Sequence, residues 1–520
     1  MTYSSFIATA GFVSDPFAST DSDREEKLAD YFVPPPYFAS VMGDPANPEP
    51  SIVFSPRGTG KSALRRMVEA GAANSSAPYL ALSYMDFEWA AGGSPTVEEH
   101  ELGVARLLTL AILTELDEEP SGAALYLDEH DKNVLKTAAS ALLTSLTASQ
   151  YRDAMSAVKN LHDKAGEAWR KYGGAVAAVV GALMAKAGID GATVDRELIS
   201  SPASLSAGAK DLLTDLVAIS RKLFWRSVYI LVDRVDETSA TANSPQAAFG
   251  VVSKLLISLP TLEQDGVGFK FFLWDQTESF FMDAGGRPDR IMIHRLRWSV
   301  EELAEMFSRR LRAHSKATID SFNDLLSPDA ALDAHLLICH VAHGSPRDMI
   351  RIAKQVIAEA TKGGVGDARI SRENVMVGIG EFAKQRVDEL YPRFAAEFSR
   401  VPNANFTTPQ LANDVFRITT QAMRQKILQW VEVGAVRKVA EQPTGQNRPL
   451  HVYAFTDPRI VLRGYHASTI ELYLDNYLLE CGHCRSIAIG SDAEFVCAEC
   501  GSDVVLRDAR SLLSMVSIDA

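Results

Sequence analysis

A lysine and a serine stand side by side at the end of a glycine-containing loop, within residues 51–66 (SIVFSPRGTGKSALRR). An apolar strand, a glycine turn and a helix start in this order point backbone N–H groups and the helix dipole at an anion. At this spacing Lys61 reaches the β- and γ-phosphates of a nucleoside triphosphate, and the Ser62 hydroxyl is a ligand of Mg²⁺. The residues expected to contact the nucleotide are Ser55, Pro56, Arg57, Gly58, Thr59, Gly60, Lys61, Ser62 and Ala63.

The motif departs from the pattern GxxxxGK[ST] at one position, because Ser55 stands where the first glycine is expected. Serine is small, and Pro56 presets the backbone that follows it. The turn nevertheless loses the conformational freedom that glycine provides. The alternative is a chance glycine turn before a helix, which the surrounding order of strand, loop and helix disfavours.

Three carboxylates follow a second apolar segment. Residues 227–232 (SVYILV) lead directly into Asp233, and Asp236 and Glu237 come shortly after it. An aspartate at the end of a strand beside a phosphate loop is placed to hold Mg²⁺ and its water ligands. Glu237, or Asp236 next to it, is predicted to polarise the water that attacks the γ-phosphate. The alternative is a solvated acidic turn after a core strand.

Five short apolar segments predict the strands that position these side chains. They are residues 51–55, 79–87, 227–232, 268–274 and 290–294. The fold class is therefore α/β, a P-loop NTPase with a three-layer α/β/α arrangement around a parallel sheet. Asp275 and Gln276 follow the fourth strand, and we expect Asp275 or Gln276 to sense the γ-phosphate.

The region between the second and third strands is longer than one crossover helix requires. Residues 96–222 carry apolar side chains at three- and four-residue spacing, which predicts an inserted helical bundle. Further along, residues 344–350 (GSPRDMI) open another helix, with Ser345 before a proline at the first helical position. Arg347 in that first turn can project toward a bound phosphate.

Together, the segments SPRGTGKS, ILVDRVDE and GSPRDMIRIA resemble an AAA+ ATPase of the initiator (origin-recognition) type. The D-x-x-D-E pattern is also similar to that of the STAND signalling ATPases. The resemblance covers roughly residues 25–360 without the helical insertion. It implies the strand order 5-1-4-3-2 and a small helical lid that carries an arginine sensor.

The resemblance also assigns roles to residues of this chain. It implies that Lys61 and Ser62 bind phosphate and Mg²⁺ and that Asp233 orders the metal. It makes Glu237 the base and Arg347 the lid sensor. Asp275 departs from the Asn, Ser or Thr usual at the first sensor position, which bears on the hydrolysis rate more than on ATP binding.

The chain changes character after about residue 370. Residues 406–411 (FTTPQL) predict a helix start, residues 420–433 a second helix, and residues 434–439 and 451–455 a hairpin. This order resembles a winged helix, which initiator-type ATPases carry at the same place.

Residues 396–465 hold nine basic side chains against five acidic ones, a local balance of +4. We therefore expect this region to contact either double-stranded DNA or a partner protein. The nine are Arg400, Arg417, Arg424, Lys426, Arg437, Lys438, Arg448, Arg459 and Arg463.

Four cysteines near the C-terminus form the pattern C-x2-C-x12-C-x2-C: Cys481, Cys484, Cys497 and Cys500. Four thiolates on two tight turns suit tetrahedral Zn²⁺, and a closed set of four ligands indicates a structural site. Iron in a rubredoxin-like site is the alternative. We expect a small zinc ribbon in which His483 is a bystander.

Composition limits the remaining possibilities. The 520 residues carry a net charge of -14, which excludes a chain-wide basic field for nucleic acid. The N-terminus does not have the pattern of a signal peptide, and the most apolar segment, residues 175–187, is too short to cross a membrane. Five cysteines, four of them clustered, indicate a metal site in a reducing, cytoplasmic setting.

The sequence thus predicts an ATP-hydrolysing, nucleotide-dependent switch that acts on DNA or a partner protein and forms a homo-oligomer. Its cofactors would be ATP, Mg²⁺ and Zn²⁺. The alternatives are a signalling scaffold that binds ATP with little turnover and a DNA-binding regulator. The predicted divisions are an approach segment (1–50), an ATPase core (51–320), a helical lid (321–390), a winged helix (391–470) and a zinc ribbon (471–520).

Overall fold

A computed structural model describes residues 2–74, 78–90, 93–118, 126–143, 146–147, 149–150, 154, 176–186, 189, 208–362, 369–442, 449–463, 466–490, 494–497 and 500–518. The chain separates into two compact units. The sheet unit is Pro34–Arg297, and the C-terminal unit is Met1–Val33 together with Trp298–Ala520. Each unit is described by itself.

Five parallel strands form the centre of the sheet unit, which confirms the predicted α/β class with a parallel sheet. Their order is β2-β3-β4-β1-β5, which reads 5-1-4-3-2 from the opposite edge. The strands are β1 (Ser51–Ser55), β2 (Leu80–Tyr84), β3 (Val228–Val232), β4 (Val267–Trp274) and β5 (Met292–Arg295).

The four strands β1 to β4 are buried along nearly their whole length. Such strands need apolar side chains on both faces, which is why they read as continuous apolar runs in the sequence. The register pairs Ser55 with Trp274, and Val232 with Phe271. The loops that follow β1, β3 and β4 therefore all leave the sheet at the C-terminal ends of its strands.

Short helices connect these strands. Phe38–Met42 precedes β1, and Lys61–Asn74 begins directly after the glycine loop. The others in the described part are Glu88–Ala90, Pro245–Ile257, Leu259–Leu262, Asp275–Thr277 and Glu278–Asp283, of which Glu88–Ala90 and Asp275–Thr277 are 3₁₀ turns.

The described part of the inserted region is mostly helical. Helix Val97–Glu118 packs against Glu129–Leu142, Val176–Lys186 and Ala209–Lys222. Much of the predicted bundle, including residues 155–175 and 190–207, lies outside the described residues. Within the part that is described, no helix is long and apolar enough to cross a membrane.

The C-terminal unit begins with short helices and continues with longer ones. Ser299 caps helix Val300–Ser315 through a capping box with Glu302. Its helical and 3₁₀ segments up to residue 398 are Tyr3–Thr9, Ser22–Arg24, Leu28–Tyr31, Val300–Ser315, Phe322–Leu325, Ala334–Val341, Pro346–Ala360, Arg372–Leu390 and Ala395–Phe398.

A small antiparallel sheet follows, with the order β6-β8-β7. Its strands are β6 (Asn405–Thr407), β7 (Val436–Gln442) and β8 (Leu450–Phe455). The helical segments Thr408–Gln410, Leu411–Phe416 and Thr420–Glu432 lie between β6 and β7. The predicted helices and hairpin are present, whereas the turn of the hairpin, residues 443–448, lies outside the described residues.

Two short hairpins end the chain. Strand β9 (Leu478–Glu480) pairs with β10 (Ile487–Ile489), and β11 (Glu494–Val496) pairs with β12 (Asp503–Val505). The remaining helices of this part are Pro458–Leu462, Ala467–Asn476 and Leu512–Val516.

Candidate functional site

The loop after β1 takes the conformation that its two glycines allow. Gly58 has φ 85° and Gly60 has φ 102°, which is backbone that L side chains rarely adopt. Ser55, in contrast, is the last residue of β1 and does not have a positive φ. The glycine that the motif lacks is therefore at a position where this chain needs no left-handed backbone.

The hydroxyl groups of the loop stabilise it from within. Thr59 Oγ1 donates to the Pro56 carbonyl at 2.7 Å, and the Ser55 and Thr59 hydroxyls are hydrogen-bonded to each other. Because the Thr59 proton goes to Pro56, the Ser55 hydroxyl is the donor to Thr59 Oγ1 in this pair. Serine thus contributes a side-chain contact to the turn that glycine could not make.

Lys61 is buried at the start of the helix that follows the loop. Its Nζ donates to the carbonyl oxygens of Ser55 at 3.2 Å and Pro56 at 3.4 Å. Burial lowers the pKa of Lys61, and the negative charges of Asp236, Asp233 and Asp275 act in the opposite direction. The predicted phosphate lysine and three predicted acidic residues therefore share one electrostatic environment.

Asp233, directly after β3, is held on both carboxylate oxygens. Arg65 Nε donates to Oδ2 at 3.1 Å, and the backbone N–H of Arg234 donates to Oδ1 at 2.9 Å. Arg65 comes from the helix that Lys61 opens, one turn further along. Its Nη1 also donates to Glu69 at 3.3 Å and to Ser83 Oγ at 3.1 Å.

Asp236 is bound by an arginine of the glycine loop. Arg57 Nε donates to Asp236 Oδ2 at 2.7 Å, and Arg57 Nη2 donates to the Asp236 carbonyl at 2.7 Å. The guanidinium carbon also lies 4.1 Å from the centre of the Trp274 ring, which is a cation–π contact. Asp236 is 5% exposed and is thus committed to a structural contact between two loops.

Glu237 differs from its neighbour in exposure. Its side chain is 55% exposed and lies 3.6 Å from the Arg234 guanidinium. Arg234 has φ 61°, so the turn after β3 contains a left-handed non-glycine residue. Such backbone strain is concentrated at functional sites. Between the two predicted base candidates, Glu237 is the more accessible to a water molecule.

Asp275 begins the 3₁₀ turn that follows β4 and is half-buried. Burial raises the pKa of Asp275, and the positive charge of Lys61 lowers it. Gln276, the alternative sensor, is exposed. Of the two, Asp275 is therefore the one on which the charge of Lys61 acts.

Arg347 lies in the C-terminal unit, on the first turn of helix Pro346–Ala360, and its side chain is exposed. Ser345 caps this helix by accepting the backbone N–H of Asp348, as the sequence predicts. Asp348 itself is buried and ion-paired with Arg386 and Arg459. Arg347, the predicted sensor, thus lies in the first turn of a capped helix. The buried ion pairs of Asp348 hold this turn in place.

Most of the nine basic residues counted near the hairpin already have partners within the unit. Lys426 pairs with Glu397, Lys438 with Glu441, and Arg459 with Asp348 and Asp457. Arg463 donates to two backbone carbonyls, and Arg400 donates to one and lies over an aromatic ring. Arg448 lies outside the described residues. The count of nine therefore overstates the number of basic side chains that this surface offers to DNA.

The four cysteines come together as the sequence predicts. Their sulfur atoms all lie within 4.8 Å of one another. Cys481 and Cys500 are 3.6 Å apart, and Cys484 and Cys497 are 3.7 Å apart. Tetrahedral zinc with Zn–S bonds of about 2.3 Å needs sulfurs separated by about 3.8 Å. The cluster therefore fits a tetrahedral ion of this size.

The two halves of the cysteine cluster repeat one turn geometry. The backbone N–H of Arg485 donates to Cys481 O at 2.8 Å, and that of Gly501 donates to Cys497 O at 3.0 Å. Arg485 has φ 60° and Gly501 has φ 74°, so each turn ends in a left-handed residue. Hydrogen bonds from Ser502 lower the pKa of Cys500, which favours the thiolate form that metals bind, whereas burial raises the pKa of Cys481.

Sequence reasoning did not identify Arg65, Glu69 or Ser83 as parts of the site. A signal was present, because Arg65 and Glu69 are four residues apart on one helix and both are buried. The contact of Arg65 with Asp233 spans 168 positions of the chain, and sequence spacing does not reveal it.

Comparison with known proteins gives no family model that matches this chain and no curated protein with significant sequence similarity to it.

Proposed function

We propose that this protein binds and hydrolyses ATP as a P-loop ATPase of the AAA+ type and works as a nucleotide-dependent switch. The observation that supports this most strongly is the buried Lys61 at the glycine loop, under the influence of three carboxylates from the ends of β3 and β4. A lysine, an adjacent hydroxyl and a strand-end aspartate are what MgATP binding in a P-loop requires.

The backbone amides and side chains of this site fit both ATP and Mg²⁺. The positive-φ glycines allow the backbone amides of residues 58–62 to turn toward phosphate oxygens. Ser62 and Asp233 would hold Mg²⁺, which supplies charge neutralisation at the β- and γ-phosphates when bound. Lys61 would add positive charge on the phosphates, and Asp275 would lie beside it.

Hydrolysis needs a group that orients the attacking water. In our proposal Glu237 accepts a proton from that water, because its carboxylate is exposed while that of Asp236 is bound to Arg57. The attack is in line with the bond to the leaving ADP.

Zinc belongs to the proposal as a structural ion. Cys481, Cys484, Cys497 and Cys500 would hold it as four thiolates. The apolar cluster around these hairpins is small and includes two of the cysteines themselves. A fold with so little apolar core depends on its metal for stability.

The output of the switch is proposed to pass through the helices and hairpin of residues 405–455, as a winged helix that contacts a protein rather than DNA. Helix Thr420–Glu432 and the residue after it expose Leu428, Val431 and Val433. A helix that reads DNA carries polar and basic side chains on its exposed face. Here the exposed face is partly apolar, which favours a protein partner.

A second candidate function is a scaffold that binds ATP with little turnover. The ion pair between Arg57 and Asp236 favours the scaffold. The pair ties the glycine loop to the loop after β3, and it leaves Asp236 bound instead of available to accept a proton from the attacking water.

One experiment separates these functions. We would measure phosphate release from ATP by the full chain and by Lys61→Ala, each with and without duplex DNA. The ATPase proposal predicts Mg²⁺-dependent release that Lys61→Ala reduces at least about 100-fold. ATP binding without measurable release supports the scaffold, and release that persists in Lys61→Ala contradicts the proposed site.

A further inference from the structure

We infer that Arg65 is a positioning residue of the nucleotide site, which fixes the Asp233 carboxylate in the orientation needed to bind the water ligands of Mg²⁺. The inference rests on the proposed ATP site and adds a residue that the P-loop motif does not contain. Its basis is the buried contact between the helix of the phosphate loop and the end of β3.

The contact is built from fully buried groups. Arg65 and Ser83 are 0% exposed, Asp233 is 1% exposed and Glu69 is 4% exposed. Buried charges in proteins are paired, since an isolated one is costly to remove from water. Here one guanidinium meets two carboxylates and a hydroxyl, and Ser83 Oγ in turn donates to Glu69 at 3.1 Å. The guanidinium is thus held by three groups, of which Asp233 is one.

The geometry uses two different edges of the guanidinium. Nε donates to Asp233, whereas Nη1 donates to Glu69 and Ser83. Because the guanidinium is planar and rigid, fixing Nη1 also fixes the direction of the Nε–H bond. Asp233 therefore receives its hydrogen bond from a donor whose direction is set by β2 and by the helix itself.

This arrangement leaves Asp233 able to accept further hydrogen bonds. Each carboxylate oxygen has two acceptor positions. Oδ2 uses one for Arg65 and Oδ1 uses one for the Arg234 N–H. The remaining positions have a direction fixed by these two contacts, and water ligands of a metal are bound by such oriented outer-sphere carboxylates.

The substitution Arg65→Lys separates the effect of side-chain geometry on Mg²⁺ binding from the effect of charge. Arg65→Lys keeps one positive charge in the network, so the electrostatic attraction of the site for Mg²⁺ is preserved. It replaces the rigid fork by a flexible point charge that cannot hold Glu69, Ser83 and Asp233 in one fixed arrangement. A change in magnesium binding then reports the orientation of Asp233.

The experiment measures the dissociation constant of ATP for the full chain twice, in EDTA and in saturating Mg²⁺. The ratio of the two constants is the magnesium-linked gain in affinity. We expect Arg65→Lys to lower this gain at least about fivefold and to change the affinity in EDTA by less than about twofold, an effect on the coupling of about 1 kcal/mol. A purely structural role would change both constants by the same factor.

Two further variants complete the test. Lys270→Met, which removes a buried lysine of β4 that has no contact with Arg65, Glu69, Ser83 or Asp233, should leave the gain unchanged within about twofold. Ser83→Ala removes one support of the guanidinium and should lower the gain by a smaller factor than Arg65→Lys. It serves as the primary variant if Arg65→Lys does not fold.

The outcomes distinguish a failure of the proposed ATP site from a failure of the positioning role of Arg65. If the wild-type chain binds no ATP, the proposed function fails and the role of Arg65 fails with it. If the wild-type chain binds ATP with a magnesium-linked gain that Arg65→Lys and Ser83→Ala leave unchanged, the ATP site stands and the positioning role of Arg65 is overturned.

Discussion

Arg57 and Asp236 join the glycine loop to the loop after β3 through two hydrogen bonds of 2.7 Å, one to the Asp236 carboxylate and one to its backbone carbonyl. A guanidinium that binds both the side chain and the main chain of one residue fixes that residue more strongly than a single ion pair would. Asp236 is therefore assigned to the architecture of the site. In the proposed ATPase, its exposed neighbour Glu237 is the residue that accepts the proton.

This assignment predicts that two similar substitutions differ strongly in their effect on ATP hydrolysis. Glu237→Gln should reduce ATP hydrolysis by at least about 100-fold while ATP binding is retained, because it removes the proton acceptor. Asp236→Asn should reduce hydrolysis by about tenfold or less, since an amide still accepts a hydrogen bond from Arg57. Both rates are measured by phosphate release at saturating ATP. A larger loss in Asp236→Asn than in Glu237→Gln would reverse the assignment.

The cysteine cluster predicts one zinc ion per chain. Elemental analysis of the purified protein should find about one equivalent of zinc, and Cys484→Ser should lose it because three thiolates bind zinc far less tightly. Cys339→Ser is the matched control, since Cys339 is buried in helix Ala334–Val341 away from the cluster. Iron in place of zinc, or zinc that persists in Cys484→Ser, would contradict the site as described.

A buried lysine of the sheet predicts a rise in stability at alkaline pH. Lys270 on β4 is 1% exposed, donates to the Glu49 carbonyl at 2.9 Å, and has a pKa that burial lowers to about 8. Above pH 8 the folded chain has released this proton while the unfolded chain still holds it, so the free energy of unfolding rises with pH. Between pH 8 and 9.5 the contribution is about 2 kcal/mol.

Urea-induced unfolding across this range checks the sign and the size. Lys270→Met lacks the titrating group, and its curve should not show that rise. A wild-type stability that falls over the same interval, or a rise that Lys270→Met reproduces, would show that Lys270 is not the cause.

The paired basic residues of the C-terminal unit predict weak binding to DNA. Each phosphate contact contributes about -0.9 to the slope of log affinity against log salt. Arg417 and Arg424 are exposed and Arg437 is half-buried, so the slope should not be steeper than about -3. Fluorescence anisotropy with a duplex oligonucleotide at several salt concentrations measures it, and Arg424→Ala should reduce the slope by about one. A slope near -8 would mean that the basic residues counted in the sequence are available after all.

The sequence allowed most of the sheet to be predicted because β1 to β4 are buried on both sides. Such strands read as uninterrupted apolar runs, and the five predicted segments match β1 to β5 with small shifts at the ends. Helix starts at Ser299 and Ser345 were equally readable, because capping depends on residues three positions apart. The cysteine cluster followed from spacing alone, since metal geometry restricts the turns that can hold it.

Contacts between distant segments could not be predicted from the sequence. The expectation that Ser55 would cost the turn some freedom was based on the motif, whereas the structure places Ser55 in extended backbone at the end of a strand. The basic count near the hairpin gave no indication that Arg459 is buried with Asp348, which lies 111 positions earlier. Which charges neutralise each other depends on tertiary packing, and composition does not encode it.

In the proposed site, Lys61 binds the phosphates of one ATP molecule and the strand-end carboxylates hold its Mg²⁺. The most direct test of this site is the equilibrium binding of MgATP to the wild-type chain, Lys61→Met and Lys270→Met, measured by titration calorimetry. The account predicts one site per chain, a loss of at least about 100-fold in affinity for Lys61→Met, and unchanged affinity for Lys270→Met, which removes a buried lysine from the same sheet. Absence of binding to the wild-type chain, or equal affinities for all three proteins, would contradict it.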